Sequence, residues 1–178
     1  MESGWDIKAM HTLIMSSEAY RSSSAPHDDC LTQDPLNNFF WRFDMRRLAS
    51  EEVRDSVLNA CGTINLEMGG QSVTPPVPDI VLAGSSVKGK GWGPCTPEEA
   101  NRRSVYVKVM RSMLMPLLIN HDMADTDSTC PVRFTTTVPT QALNMINGKF
   151  MNDSAKSFAN RLRTEAGKEP KKLSLIHI

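Results

Sequence analysis

The sequence carries no excess charge of either sign, because Lys plus Arg and Asp plus Glu both number 20 in a chain of 178 residues. A balanced charge produces no net field that would attract nucleic acid, so we expect no nucleic-acid partner. No apolar run approaches the roughly 18 residues that a membrane span requires. The N-terminal residues also lack the basic and apolar regions of a signal peptide. We therefore expect no membrane span and no visible export signal within this sequence.

Cysteine is scarce and widely scattered. The four cysteines are Cys30, Cys61, Cys95 and Cys130, and no two of them form a CxxC pair. Zinc, redox and haem-attachment sites are therefore not indicated, and we predict no metal and no cofactor. Free buried thiols are the expected state. A Cys95–Cys130 disulfide is the alternative in an oxidising compartment.

Helical patterns dominate the N-terminal part of the chain. In "GWDIKAMHTLIM" one helical face is formed by Ile7, Met10, His11 and Ile14. On that apolar face His11 is expected to be a core histidine. Further on, "DPLNNFFWRF" begins with Asp-Pro, a cap and first-turn signal, and we expect it to carry its three consecutive aromatic residues into the core.

The clearest helix is "SEEVRDSVLNACG". Ser50 is a good N-cap residue and Gly62 a natural residue to follow the helix. The predicted buried stripe consists of Val53, Val57, Leu58 and Cys61. A long irregular region with many glycines and prolines follows, and "TPEEA" after it has the pattern of a capping box between Thr96 and Glu99.

The C-terminal part mixes one strand pattern with several helix patterns. "SVYVKVMRS" alternates β-branched residues and predicts a strand, whereas "LMPLLI" predicts a short buried helix after Pro116. Pro139 suits the first turn of a helix "TQALNMIN" that ends at Asn147 and Gly148, and a second helix follows. The fold predicted is mainly α with one or two short β-strands and long irregular loops, an α+β class, as a partial domain.

The last residues do not match this pattern. Residues 1–172 are expected to form a fragment of a single domain. Residues 173–178, "LSLIHI", match the translation of a common sequencing adapter, so we interpret them as read-through at the end of a metagenomic-type contig. On this interpretation His177 is no ligand and the natural protein continues past Lys172.

Five longer motifs can be read along the chain: "GWDIKAMHTLIMSSEAYRSSS", "DPLNNFFWRFDMRRLASEEVRDSVL", "MGGQSV", "RRSVYVKVMRSMLMPLL" and "DSTCPVRFTTTVPTQALNMINGKF". Together and in this order they resemble a planctomycete family of proteins catalogued as domain of unknown function 1553, and the resemblance extends over residues 4–162. The resemblance implies the C-terminal portion of a large exported, cytochrome-c-associated multidomain protein, located in the periplasm or outside the cell. The implied partners are the neighbouring domains of the same full-length chain.

The loop "HDMADTDSTCPVR" holds the candidate site residues. The acidic part offers His121, Asp122, Asp125 and Asp127 as oxygen and nitrogen ligands, but the EF-hand pattern fails, so a solvated loop that caps itself is the main interpretation. Cys130 with His121 has the residue types of an activated nucleophile, but a buried or disulfide-bonded Cys130 is the main interpretation.

Arginines near this loop suit two roles. A structural clamp would tie Arg102, Arg103 and Arg133 to the three aspartates, because planar guanidinium–carboxylate pairs fix loops well. The alternative is bidentate binding of a sulfate, phosphate or uronate group, with Trp92 as an exposed ligand platform.

Two functions remain open from the sequence. The first is a structural or interaction module of an exported multidomain protein. The second is an enzyme or accessory domain that acts on anionic polysaccharide, either sulfated or uronic. An open cleft in which Asp122, Asp125, Arg103 and Arg133 surround Trp92 would favour the second function, whereas pairing of these residues under a covering loop would favour the first.

Overall fold

Nine α-helices and one short 3-10 helix form the regular structure that a computed structural model describes for residues 4–84 and 91–167. The helices are α1 Ile7–Ser16, α2 Glu18–Arg21, α3 Asp28–Gln33, α4 Ser50–Cys61, α5 Asp79–Gly84, α6 Pro97–Ala100, α7 Pro116–Asn120, α8 Pro139–Asn147 and α9 Lys149–Ala166. The 3-10 helix is Ser104–Tyr106. About 49% of the described residues are helical and about 4% lie in bridges, so the predicted mainly α class is confirmed.

Two units divide the chain between Arg47 and Leu48. The first contains α1 to α3 and the second contains α4 to α9. The prediction of a single domain over residues 1–172 stays a prediction. Residues 173–178, interpreted above as adapter read-through, lie outside the described residues.

The first unit begins with the predicted helix α1. Asp6 is its N-cap, and a carboxylate oxygen of Asp6 accepts a hydrogen bond from the Ala9 amide at 3.1 Å. The helix forms as predicted, but none of its residues is buried. His11 is exposed, so its assignment as a core histidine was wrong: the helical period correctly predicts a face without showing what covers it.

The "DPLNNFFWRF" segment forms turns rather than the predicted helix. The Asp34 side chain is buried and accepts hydrogen bonds from the Phe39 amide at 2.9 Å and from the Asn38 side chain at 3.2 Å. These bonds, which are the chief reason the pKa of Asp34 is lowered, fold the chain back on itself. Phe39 is consequently 85% exposed and Phe40 is also exposed, so the prediction that they enter the core was wrong.

Helix α4 opens the second unit and has well-formed ends. It starts one residue earlier than a Ser50 cap would give, with Ala49 as N-cap and the Ala49 amide donating to the Glu52 carboxylate at 2.8 Å. Gly62 ends the helix in the left-handed conformation, with φ 70°. Two residues of the predicted stripe, Leu58 and Cys61, are buried.

The core of the second unit lies beside α7. Its buried members are Val73, Trp92, Val107, Met113, Met115, Leu117 and Leu118. Of the predicted strand around Val107, two isolated bridges form: Val107 pairs with Val73 and Met110 with Met113. No longer strand forms there, because Ser104–Tyr106 turns into the 3-10 helix and leaves Val105 exposed.

The predicted helices after Pro116 and Pro139 are confirmed. Each proline occupies the first turn of its helix, where a missing amide hydrogen costs nothing. Helix α8 has Val138 as N-cap and ends at Asn147, with Gly148 as its C-cap immediately before α9. Across the described ranges, no helix has both the length and the apolarity that crossing a bilayer demands.

The end of α4 allows a direct test of the backbone geometry. Gly62→Ala should lower the free energy of unfolding by about 1 kcal/mol, because alanine is strained at positive φ. A Cβ atom there would also lie 3.3 Å from Arg161 Cδ. Urea denaturation measures the change. Gly84→Ala is the matched control, since its Cβ meets nothing within 4 Å and its φ is not positive; equal losses in both variants would contradict the expectation.

Candidate functional site

The candidate site is a groove of about 660 Å³ in the second unit. We call it the proline-walled groove, because residues 75–78, "PPVP", form one side of it. Leu58 of α4, Met115 and Leu117 at α7, and Phe150 and Met151 of α9 supply the other apolar walls. Groups that could recognise a polar part of a ligand are fewer, and those that carry a charge or a thiol are Arg54, Asp79, Cys95, Lys149 and Asp153.

Arg54 is the buried cation of this groove. Its residue exposure is 0%, and the guanidinium donates to the Arg102 carbonyl at 2.9 Å, to Ser104 Oγ at 3.2 Å and to the Ala100 carbonyl. The Phe150 ring covers it, with the guanidinium carbon 5.8 Å from the ring centroid. One guanidinium thus attaches residues 100–104 to helix α4.

A carboxylate beside Arg54 completes this arrangement. Asp55 accepts from the Ser104 amide at 2.7 Å and from Ser104 Oγ at 2.6 Å. Its oxygens also lie 3.8 Å from Arg54 Nη1 and 3.8 Å from Arg103 Nε. Two guanidiniums therefore share one carboxylate, and Arg54 Nε has no hydrogen-bond partner.

The groove offers little for acid–base or nucleophilic chemistry. Burial raises the pKa of the Cys95 thiol, which keeps it in the less reactive protonated form. Burial also lowers the pKa of Arg54, although a guanidinium remains charged. A hydrogen bond from Lys149 holds the pKa of Asp153 below its usual range, so this carboxyl is not suited to proton transfer near neutral pH.

The predicted acidic loop binds backbone rather than the arginines. Asp122 accepts from the Thr136 amide at 2.8 Å and from Thr136 Oγ1 at 2.7 Å, just before α8. Asp125 accepts from the Asp127 amide at 2.9 Å and from Ser128 Oγ, bonds that lower its pKa. This is the self-capping loop that the sequence indicates.

The predicted clamp partners were wrong, although the arginines do fix the chain. Arg133 pairs with Glu51 of α4 through two hydrogen bonds of 2.6 and 3.1 Å. Arg103 faces Asp55 instead of the acidic loop. The Arg102 side chain donates to the carbonyls of residues 67, 69 and 71 and stacks 3.9 Å from the centroid of the Tyr106 ring. Each arginine and its partner lie far apart in the sequence, so the spacing of residues along the chain does not predict these pairs.

His121 and Cys130, considered above as an alternative nucleophile pair, both contact backbone carbonyls. His121 Nδ1 lies 2.9 Å from the Leu117 carbonyl, and Cys130 Sγ contacts the Val132 carbonyl at 3.5 Å, so each faces backbone rather than the other. Cys95 and Cys130 are free thiols, not a disulfide.

Trp92 is only 9% exposed. Its indole nitrogen donates to the Pro75 carbonyl at 2.9 Å, and its ring lies in the core. The glycine-rich sequence around Trp92 suggested an exposed side chain. The ring is buried instead, at a position where its indole N–H still has a hydrogen-bond acceptor. Within residues 4–84 and 91–167, no three His, Cys, Asp or Glu side chains are grouped to hold a metal ion.

Sequence reasoning missed Arg54, the central side chain of the site. Its spacing gives a usable signal: Ser50, Arg54, Leu58 and Cys61 follow one another at steps of four, four and three and are the buried residues of α4. A charged residue on the buried face of a helix indicates a buried hydrogen-bonding hub. Because Val53 and Val57 are apolar, the prediction placed the buried stripe on a neighbouring face of the helix.

The sequence of the chain matches one family of proteins. A family model with the description "Protein of unknown function (DUF1553)" matches residues 1–177, almost the whole chain. The match includes residues 173–177, so adapter read-through there stays a prediction. No curated protein and no solved structure matches.

Removal of the Arg54 side chain tests its role as the hub. Arg54→Met should lower the free energy of unfolding by about 3 kcal/mol or more, because the carbonyls of Ala100 and Arg102 lose a buried charged donor. Arg103→Met is the matched control: Arg103 is 50% exposed and should cost less than about 1 kcal/mol. Urea denaturation compares them, and similar losses for the two variants would contradict the assignment.

The Glu51–Arg133 pair should show a defined pH dependence. The hydrogen bond from Arg133 lowers the pKa of Glu51 in the folded chain. A carboxyl with a lowered pKa stabilises the fold above its ordinary pKa and loses that contribution as the pH falls through the folded value. A double-mutant cycle with Glu51→Gln and Arg133→Ala should give about 0.5–1 kcal/mol of coupling at neutral pH.

The same cycle should lose its coupling below about the ordinary glutamate pKa of 4.5. Denaturant melts of the four proteins at neutral and acidic pH measure this change. A coupling that is the same at both pH values would show that the hydrogen bond does not depend on the carboxylate.

Proposed function

Because this chain belongs to the DUF1553 family of proteins of unknown function, we propose that it is a structural and interaction module of a larger exported multidomain protein. One observation carries the proposal: the side chains with the residue types for chemistry are used to hold the chain. Arg54, Arg102 and Arg133 bind carbonyls or a carboxylate of distant segments, and Asp122 binds the entry to α8. A module that presents a surface requires this kind of fixed scaffold.

Exposed apolar side chains support an interaction role. Helix α8 leaves Leu143 and Ile146 exposed, and their spacing of three puts them on one face. Val132 and Phe134 in the segment before α8 are exposed as well, Phe134 to 85%. Exposed apolar groups that cluster on one surface are typical of contact with another protein surface. We propose that the neighbouring domains of the same full-length chain are the partners.

The alternative, an enzyme or accessory domain for anionic polysaccharide, loses the features on which it relied. Its ligand platform, Trp92, is buried in the core. Its anion-binding arginines, Arg103 and Arg133, face Asp55 and Glu51. An anionic sugar would have to displace these carboxylates.

Replacement of the α8 surface tests the interaction role. The variant Leu143→Ser with Ile146→Ser should keep a melting temperature within about 3 °C of the parent chain, because exposed positions contribute little to folding. It should bind the flanking domains of the full-length protein at least about tenfold more weakly, since each of the two substitutions removes apolar area that the interface would bury. Surface plasmon resonance against those separately expressed domains measures the affinity.

The matched control is Ala155→Ser with Asn160→Ser on α9, at two exposed positions. This variant should bind like the parent chain. Equal binding by the α8 variant and the control would contradict an interface on α8. No binding by the parent chain itself would remove the interaction role.

A further inference from the structure

The size and lining of the proline-walled groove suit a small molecule. Ligand sites in proteins commonly enclose about 300–1,000 Å³ and are mainly apolar with a few polar groups, and this groove holds about 660 Å³. Leu58, Met115, Phe150 and the prolines of residues 75–78 would contact an apolar body. The lining predicts a ligand that is largely hydrocarbon.

Arg54 gives the groove a positive interior. Arg54 and Arg103 share the single carboxylate of Asp55, so this trio carries one net positive charge. The other close partners of Arg54 are carbonyl and hydroxyl oxygens, and its Nε has no partner. Because the guanidinium is buried, water screens its field weakly.

The other charges of the lining act more weakly. Lys149 and Asp153 form an ion pair with side-chain exposures of 86% and 50%, so solvent screens both and their charges cancel. Asp79 is also exposed. The deepest charge therefore determines the sign of the potential inside the groove, and that sign favours an anion.

We propose that the proline-walled groove binds an amphipathic carboxylate: a molecule with a medium-length hydrocarbon body and one acid group directed toward the Arg54 end. The hydrocarbon packs against the prolines and the α4, α7 and α9 side chains, while the buried cation selects the acid over its neutral analogue. The lining of this groove includes Asn144 of α8 but neither Leu143 nor Ile146. The proposal goes beyond the proposed function, so either proposal can fail alone.

Calorimetric titration of the chain with octanoate and with octanamide at neutral pH tests the proposal. These probes share a hydrocarbon body and differ in the charge of the head group. Octanoate should bind one molecule per chain, and octanamide should bind at least about tenfold more weakly, because only the charged head group is attracted by the weakly screened positive charge of the buried guanidinium. Failure of octanoate to bind, or equal affinities for the two probes, would overturn the proposal.

A pair of variants locates the site. Ser157 lies in the lining of the groove on α9, so Ser157→Trp should fill it and abolish octanoate binding. Ala155 is exposed on the same helix outside the lining, so Ala155→Trp should bind octanoate like the parent chain. Unchanged binding by Ser157→Trp would show that octanoate sits elsewhere. The acid–amide comparison on the parent chain decides the question even if Ser157→Trp fails to fold.

Discussion

The burial of the Arg54 guanidinium is the interaction on which the second unit depends. Removal of a cation from water is costly, and the cost is met only when its donors find oxygens in good geometry. Those oxygens belong to Ala100, Arg102 and Ser104, which lie 46, 48 and 50 residues away along the sequence. Asp55, the next residue on α4, binds Ser104 from the same side. One helix turn thereby determines where the chain after α6 must run.

Arginine–carbonyl contacts replace a β-sheet as the means of joining distant segments. Once Arg54 fixes residues 100–104, the side chain of Arg102 is placed to bind the carbonyls of residues 67–71. Arg161 of α9 in turn donates to the Ala60 carbonyl at 2.7 Å, at the end of α4. Irregular backbone needs partners for its polar groups, and planar guanidiniums with several donors supply them. This explains how a chain with few bridges keeps long loops in place.

The sequence correctly predicts the helix ends that neighbouring residues determine, and it misses the features that depend on contacts between distant residues. The helix starts at Pro116 and Pro139 and the helix end at Gly62 depend on neighbouring residues, and the structure confirms them. The strand around Val107 was wrong because alternation describes a preference, whereas Arg54 and Asp55 bind Ser104 and favour a turn there. Of the candidate site, the sequence indicates Cys95 only as a free thiol or as a disulfide partner of Cys130.

The hydrogen bond from Trp92 to Pro75 links the core of the second unit to the proline-walled groove. The indole belongs to the packed interior, while the carbonyl belongs to the wall of the proline-walled groove. The width of the proline-walled groove therefore depends on how the interior is packed, because a shift of the Trp92 ring would move the Pro75 side of the groove with it. A substitution that repacks the interior around Trp92 would then change the shape of the groove, although Trp92 itself lies outside the lining.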